Sequence, residues 1–125
     1  MKNILIPTDF SENAWNAAQY AIELFKDEDC IFHLLNTYTP AIANSRFMAA
    51  AIDGSALENS AQLSSKKGLQ NFIKRINQTF DNPKHDFKTI SSFSFLVDEI
   101  KETIAENSID LVVMGTKGAS GIEEV

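Results

Sequence analysis

Cysteine and histidine are scarce in this 125-residue sequence, and their scarcity excludes several kinds of site. The single cysteine, Cys30, rules out an internal disulfide, and we expect it to be a small buried or half-buried thiol. The two histidines are well separated, so no metal-binding cluster is visible. We expect His33 to be a core residue within a strand and His85 to lie at the surface in a turn. No Ser-His-Asp or Cys-His set can be assembled from them, so no catalytic apparatus is predicted.

Basic residues and long apolar runs are also few. Eleven Lys and Arg face seventeen Asp and Glu, and the net charge of -6 argues against a nucleic-acid surface. No apolar run reaches the roughly 18 residues of a membrane span, and the N-terminus enters a strand instead of a signal-peptide core. We therefore predict a cytoplasmic protein that binds neither nucleic acid nor membrane. The length suits a single domain over residues 1–125.

The first 38 residues predict a strand, a helix and a second strand. Ile4-Leu5-Ile6 is a short apolar run typical of a strand buried on both faces, and Pro7 ends it. Ser11 is placed to cap a helix whose small and apolar positions recur at helical spacing, namely Ala14, Ala18, Ala21 and Phe25. A second strand is predicted over residues 30–38, and its core, residues 31–35, is almost continuously apolar. Two such strands joined by a helix form a right-handed βαβ unit.

The rest of the chain predicts two more helices and two more strands. Residues 39–59 show no regular pattern and predict a long, partly ordered excursion that could include one helical turn. A helix follows from about Ser60 to near Asp81, and Gly68 inside it indicates close packing. Residues 87–93 alternate as an edge strand does, and residues 109–114 form the next buried strand. Between them lies a helix that Asn107 could end in the left-handed conformation, with four apolar positions on one face: Leu96, Val97, Ile100 and Ile104.

This alternation of strands and helices predicts an α/β fold, an open parallel sheet with helices on both faces. Ligands of such sheets bind beyond the carboxyl ends of the strands, where the strand order reverses. Three segments lie there: Pro7-Thr8-Asp9, Asn36-Thr37-Tyr38 and the turn that follows Met114.

The turn after Met114 is rich in glycine, with Gly115, Gly118 and Gly121 inside seven residues. Such a turn lets backbone N–H groups approach an anion, and Ser120 with Glu123 could begin a capped helix behind it. An ordinary βα turn that happens to contain glycine explains the stretch equally well. Lys117, inside this turn, could contact a phosphate or could be an ordinary solvated side chain.

Asp9 is the one acid at the carboxyl end of a predicted strand. Its carboxylate could accept hydrogen bonds from sugar hydroxyls or an adenine amine, or it could stabilise the start of the following helix. At Thr37, backbone atoms could read an adenine edge whatever the side chain. The sequence has no G-x-x-x-x-G-K-[ST], and the turn after the first strand has no glycine, so neither a P-loop nor a Rossmann fingerprint is present.

Two stretches resemble the universal stress protein family. Ile4-Leu5-Ile6-Pro7-Thr8-Asp9-Phe10-Ser11-Glu12-Asn13-Ala14 is similar to the family's first strand and turn, and Asp110-Leu111-Val112-Val113-Met114-Gly115-Thr116-Lys117-Gly118 resembles its nucleotide strand and turn. The element order agrees over essentially the whole chain. The resemblance implies a parallel sheet of strand order 3-2-1-4-5 and, in one branch of the family, ATP binding without strong catalysis.

Carried over position by position, the resemblance implies an adenine-nucleotide site. Asp9 would face the adenosine, Thr37 would offer backbone atoms to adenine, and Pro7 and Thr8 would shape the pocket wall. The ribose and phosphates would be lined by the glycine turn, that is Met114, Gly115, Thr116, Lys117 and Gly118. The implied ligand is ATP or AMP, with Mg²⁺.

One half of the family's nucleotide pattern lies past the last residue. The pattern is G-x-x-G, nine residues and then G-[ST]; Gly115 and Gly118 supply its first half, and the next glycine would fall at position 128, beyond Val125. We therefore expect strand order 3-2-1-4 with the fifth strand missing, weakened nucleotide binding, and a C-terminally incomplete domain. The open edge of the fourth strand would then invite pairing, in a homodimer or with a tandem second domain.

Three functions follow from these features. The first is an adenine-nucleotide-binding regulatory module of the stress response. The alternative is a non-nucleotide dimerisation or interaction module of the same fold, for which a chain extended past position 128 would not bind ATP either. A slow ATPase comes third, and it would require turnover that the substitution Asp9→Ala abolishes.

Overall fold

A computed structural model describes residues 1–38 and 54–115 of the chain. Their elements, in chain order, are β1 (Lys2–Pro7), α1 (Glu12–Leu24), β2 (Cys30–Tyr38), α2 (Gly54–Thr79), β3 (His85–Phe93), α3 (Leu96–Asn107) and β4 (Leu111–Val112). The strands form one sheet of order β3-β2-β1-β4, in which every neighbouring pair is parallel. The predicted α/β class and the order 3-2-1-4 are confirmed. Within the described ranges, no helix is both long and apolar enough to span a membrane.

The chain reverses direction across the sheet after β3. From β1 through β2 to β3 it moves one way, and from β3 it returns past both to β4. Because parallel crossovers are right-handed, α1 and α2 cover one face of the sheet and α3 covers the other. The reversal places the gap between β2 and β4, at the carboxyl end of β1, where ligands of such sheets bind.

The main core lies between the sheet and the pair α1 and α2. Its strand members are Ile4, Ile6, Cys30, Phe32 and Leu34, and its helix members are Trp15, Ala18, Ala21, Ile22, Leu69, Phe72 and Ile76. Burial of this size, at about 25 cal/mol per Å² of apolar surface, is the principal stabilising term of the fold. Cys30 belongs to this core, as predicted, and burial raises the pKa of its thiol.

Helix α2 begins earlier than the sequence pattern indicated. It starts at Gly54, so residues 54–59 are helical and their assignment to the excursion is wrong; residues 39–53 lie outside the described ranges. The expected close packing at Gly68 is confirmed, because a Cβ there would meet the Phe10 ring at 2.5 Å. Tertiary contact thus explains a glycine that weakens the helix locally.

Helix α3 departs from its predicted apolar face. Val97 is 62% exposed and Ile104 is 39% exposed, whereas the side chain of Thr103 is buried. The threonine hydroxyl lies 3.4 Å from the Glu99 carboxylate, to which it donates, so its burial leaves no unpaired polar group. The helix ends at Asn107, but the left-handed residue is Ser108, at φ 51°, and not Asn107 as predicted.

The two histidines differ from each other in how they match expectation. His33 is buried within β2, and its Nε2 lies 3.1 Å from Asn3 Oδ1, which confirms a satisfied core histidine. His85 is the buried first residue of β3, so its predicted surface position is wrong. Its Nε2 donates to the Phe25 carbonyl at 2.9 Å, and its ring packs edge-on against Phe32 at a centroid distance of 4.9 Å.

The outer strands of the described sheet also refine the predictions. β3 is an edge strand, as its alternating pattern indicated, and it pairs with β2 over its whole length. β4 is shorter than residues 109–114, although the Val113 N–H donates to Leu5 O at 2.9 Å and prolongs the pairing. It pairs with β1 on one side and lies at the other edge of the described sheet, where Leu111 is 39% exposed.

Candidate functional site

A cavity of about 170 Å³ lies at the carboxyl ends of β1, β2 and β4. Six of the predicted site residues line it together: Pro7, Thr8, Asp9, Thr37, Met114 and Gly115. The other three, Thr116, Lys117 and Gly118, lie outside the described residues. The structure adds five residues that the site prediction did not contain, namely Ser11, Asn13, Ala14, Asn36 and Leu96.

The turn after β1 is held by hydrogen bonds that begin inside the sheet. Thr8 is buried, and its N–H donates to Leu35 O at 2.8 Å as the last bond between β1 and β2. Its hydroxyl then accepts from the Phe10 N–H at 3.0 Å, and Asp9 Oδ1 accepts from the Ser11 N–H at 3.0 Å. The Asp9 carboxylate is therefore held at the cavity wall by its own turn.

The helix cap and the carboxylate have separate positions. Ser11 is the N-cap of α1, and its Oγ accepts from the Ala14 N–H at 3.2 Å, as predicted. Asp9 precedes that cap and supports the turn instead of capping the helix. A helix N-terminus at this point adds positive potential to the wall on which Asp9 lies.

Phe10 anchors the turn to α2. It adopts a left-handed backbone, at φ 68°, which is uncommon for an aromatic residue and is retained only where the surroundings hold it. Its ring lies over Gly68, and its centroid is 6.4 Å from that of Phe72. Because the Phe10 side chain packs toward α2, Thr8 and Asp9 lie on the cavity side of the chain.

β2 extends past the end of β1, and this difference opens the cavity floor. The last paired residues are Pro7 and Leu35, whereas β2 continues to Tyr38. In a parallel ladder both peptide groups of one residue face the same neighbour, and successive residues alternate between neighbours. Since Leu35 O accepts from β1, the N–H and C=O of Thr37 also face that side, beyond the last residue of β1.

Asn36 joins the ends of the two strands. Its Nδ2 donates to Thr8 O at 2.8 Å, and Asn36 and Thr8 both line the cavity. The sequence marked Asn36 only as a member of the segment at the carboxyl end of the second strand, because its partner depends on how β1 and β2 align. A polar residue next to the end of a buried strand was the one available signal.

β4 and α1 meet at Gly115, which forms the opposite wall with Met114. A Cβ on Gly115 would lie 2.5 Å from Asn13 O and 2.8 Å from Asn13 C. These are backbone atoms of the first turn of α1, so the close approach itself requires glycine. The first glycine of the glycine-rich turn is thus explained by packing, with or without a ligand.

Leu96 adds an apolar patch to the wall. It is the first residue of α3, and the sequence pattern assigned it to the apolar face of that helix. It lines the cavity because the start of α3 lies at the same end of the sheet as the other site residues, a position that the helical pattern alone does not indicate. An apolar helix-start residue after an edge strand was the available signal.

The described cavity wall carries little charge. Among its described lining residues, Asp9 is the one charged side chain, and the others are neutral polar or apolar. Cavities of this composition suit a partly apolar ligand with a few hydroxyl or amine donors. Within residues 1–38 and 54–115, no group of three histidine, cysteine or acidic side chains is arranged to hold a metal ion.

The comparisons with known proteins agree with one another. The sequence profile of the Universal stress protein family matches residues 1–125. The chain is 28% identical over 124 residues to the universal stress protein MJ0531 of Methanocaldococcus jannaschii, an alignment that covers 99% of this chain and 69% of that protein.

Two solved structures show a similar fold. One is the hypothetical protein MJ0577, with a TM-score of 0.73, 22% identity, and coverage of 99% of this chain and 80% of that one. The other is the universal stress protein UspA from Lactobacillus plantarum, with a TM-score of 0.56, 18% identity, and coverage of 97% and 83%. At these identities the likeness is one of fold.

Proposed function

The chain belongs to the universal stress protein family, and we propose that it is a regulatory module that binds an adenine nucleotide in the cavity beyond β1. The observation that carries the proposal is the pair of groups at this cavity, one from the end of β2 and one from the turn after β1. On one side lies the peptide edge of Thr37, and on the other lies the Asp9 carboxylate.

The peptide edge of Thr37 suits a purine base. A backbone N–H and C=O on one side of a strand present a donor and an acceptor, and the N1 and N6 positions of adenine present an acceptor and a donor. Leu96 and Met114 offer apolar surface to the ring faces. Asp9 accepts hydrogen bonds from the ribose hydroxyls, an interaction strengthened by its charge.

The remaining parts of the proposal come from the resemblance to the family. Thr116, Lys117 and Gly118 would follow the described wall and contact phosphates, with Mg²⁺ as the counterion of ATP. We propose binding rather than turnover as the activity, because Asp9 is the one ionisable side chain among the described residues that line the cavity, and one of its oxygens accepts from the Ser11 N–H. The cytoplasm is the proposed location.

The proposal is tested by isothermal titration of the 125-residue chain with AMP. The informative variant is Asp9→Asn, which keeps an oxygen for the Ser11 N–H and removes the charge. Loss of a charge-assisted hydrogen bond predicts about tenfold weaker binding. Asp86→Asn, an exposed acid of β3, is the matched control and should bind AMP as the unmodified chain does. Absence of AMP binding by the unmodified chain would refute the proposal.

A second candidate function is pairing with another copy of the chain through the β4 edge. It is favoured by the exposure of Leu111 on that strand and of Val97 and Ile104 on α3. Exposed apolar strand edges promote association. Sedimentation of the unmodified chain and of Leu111→Lys distinguishes the outcomes: a dimer that becomes monomeric in the variant supports pairing, and a monomer in both cases excludes it.

A further inference from the structure

We infer that Asn36 selects a 6-aminopurine over a 6-oxopurine in the cavity, an inference that rests on the proposed nucleotide function. The structure places the Asn36 amide at the junction of β1 and β2, beside Thr8 and Thr37. Two properties of this amide carry the inference: the bond it replaces and the atom it leaves toward the site.

The bond that Asn36 replaces is a backbone one. In an uninterrupted parallel ladder, the bond from the Thr8 N–H to Leu35 O would be followed by one from the Thr37 N–H to Thr8 O. Here Thr8 O accepts from Asn36 Nδ2 at 2.8 Å instead. The side chain thus satisfies the Thr8 carbonyl and leaves the Thr37 N–H directed at the cavity.

The same bond fixes the orientation of the amide. A carbonyl oxygen can only accept, so the atom that bonds Thr8 O is the NH₂ group, and the other end of the amide is the acceptor Oδ1. No described residue donates a hydrogen bond to this Oδ1. Asn36 is half-buried and lines the cavity, so the amide adds a neutral acceptor to a wall that already holds the Thr37 carbonyl.

Two acceptors and one donor match adenine and not hypoxanthine. The exocyclic amine of adenine carries two hydrogens, one for the Thr37 carbonyl and one for Asn36 Oδ1, while N1 accepts from the Thr37 N–H. A 6-oxo group has no hydrogen and would face both acceptors, and its ring N1–H would face a donor. Sites built to bond a substrate N–H discriminate strongly against analogues that lack it, because their own polar groups are then left unpaired.

The test compares AMP with IMP in the unmodified chain and in Asn36→Leu, which is similar in size and has no polar atoms. We expect IMP to bind about tenfold or more weakly than AMP to the unmodified chain, and this ratio to fall by about threefold or more in the variant, in which the Thr37 peptide still distinguishes the two bases. The ratio cancels any loss of affinity that both nucleotides share. Asn77→Leu, an exposed position on α2, is the matched control and should keep the unmodified ratio.

Two further measurements keep the inference testable if Asn36→Leu folds poorly. Purine riboside 5′-monophosphate lacks the amine without added bulk, and it should bind the unmodified chain about tenfold more weakly than AMP. In a folded Asn36→Leu variant without ligand, exchange of the Thr37 amide should slow, because its N–H can then bond Thr8 O.

The two proposals fail in different ways. An unchanged AMP-to-IMP ratio in Asn36→Leu would overturn the role of Asn36 alone. Equal binding of AMP, IMP and the riboside phosphate to the unmodified chain would overturn it together with the base contacts proposed for Thr37, but not nucleotide binding itself. Absence of binding by all three ligands would overturn the nucleotide function and this inference with it.

Discussion

The substitution Gly115→Ala tests how tightly β4 and α1 close the cavity. The new Cβ would lie 2.5 Å from Asn13 O, 2.8 Å from Asn13 C and 3.2 Å from Ala14 N. All three atoms belong to the backbone, so no side chain can turn away. Relief to an ordinary contact of 3.4 Å requires about 0.9 Å of movement between the end of β4 and the first turn of α1.

The cost of that movement can be estimated. Overpacking costs about 1–3 kcal/mol, and restriction of the unfolded chain by alanine offsets up to about 1 kcal/mol of it. The expected net loss of about 1–2 kcal/mol corresponds to a decrease of roughly 3–8 °C in the melting temperature of a chain of this size. Thermal and urea denaturation measure the loss directly.

Gly68→Ala is the matched comparison. Its Cβ would also come within 2.5 Å of a neighbour, but that neighbour is the outer edge of the Phe10 ring, which is 37% exposed and can turn. Alanine also favours the helix by about 1 kcal/mol, so we expect a change within about 1 kcal/mol of zero. A Gly115→Ala variant as stable as the unmodified chain, or less affected than Gly68→Ala, would refute the packing argument.

Three further substitutions test individual interactions. Ser11→Ala removes the cap of α1 and should lower the unfolding free energy by about 1 kcal/mol in urea titrations, whereas a loss below about 0.3 kcal/mol would contradict the cap. Burial, together with the charge of Lys88, lowers the pKa of His33 below its ordinary 6.5. As the pH falls below 6.5, His33 is therefore protonated in the unfolded chain before it is protonated in the folded chain. Stability should therefore fall as the pH decreases below about 6.5, and His33→Gln should reduce that slope; an unchanged slope would contradict it. The charges of Glu106 and then Glu99 raise the pKa of Glu102, so the effect of this group on stability has the opposite sign. Stability should fall as the pH rises past about 4.5, and Glu102→Gln should remove part of that fall. An unchanged fall in the variant would show that the carboxylates do not interact.

Local patterns in the sequence were enough to predict the central strands. The core of the second strand, residues 31–35, is almost continuously apolar, as is typical of a strand that is buried on both faces of the sheet. Ser11 was equally predictable, because a cap needs only one side-chain oxygen and the following N–H groups. These features depend on neighbours within a few positions of the chain.

The features that were missed depend on distant residues. His85 is buried because Phe25 O and the Phe32 ring surround it, and neither is near it in sequence. On α3, Thr103 is buried and Val97 is exposed. Burial of the threonine is possible because its hydroxyl donates a hydrogen bond to the Glu99 carboxylate. A search for hydrophobic residues at helical spacing selects valine over threonine, and it therefore assigns Val97 to the buried face and omits Thr103.

The candidate site likewise contains residues that local sequence could predict and residues whose roles depend on distant parts of the chain. Asp9 and Thr37 were predictable as positions at strand ends, and the resemblance to the family indicated what they would face. The role of Asn36 required knowledge that β1 stops opposite Leu35 while β2 continues to Tyr38. The reason for glycine at position 115 required the distance to Asn13, which no sequence pattern contains.

The most direct test of the nucleotide site is an NMR titration of the ¹⁵N-labelled chain with AMP. The account predicts saturable shifts of the amides of Thr8, Asp9, Thr37 and Gly115, with the Thr37 amide moved downfield as it donates to the purine N1. The chemical shifts of the amides near His85, at the other end of the sheet, should not change. Saturable binding that shifts the His85 region and leaves Thr37 unchanged, or no binding at all, would contradict the account.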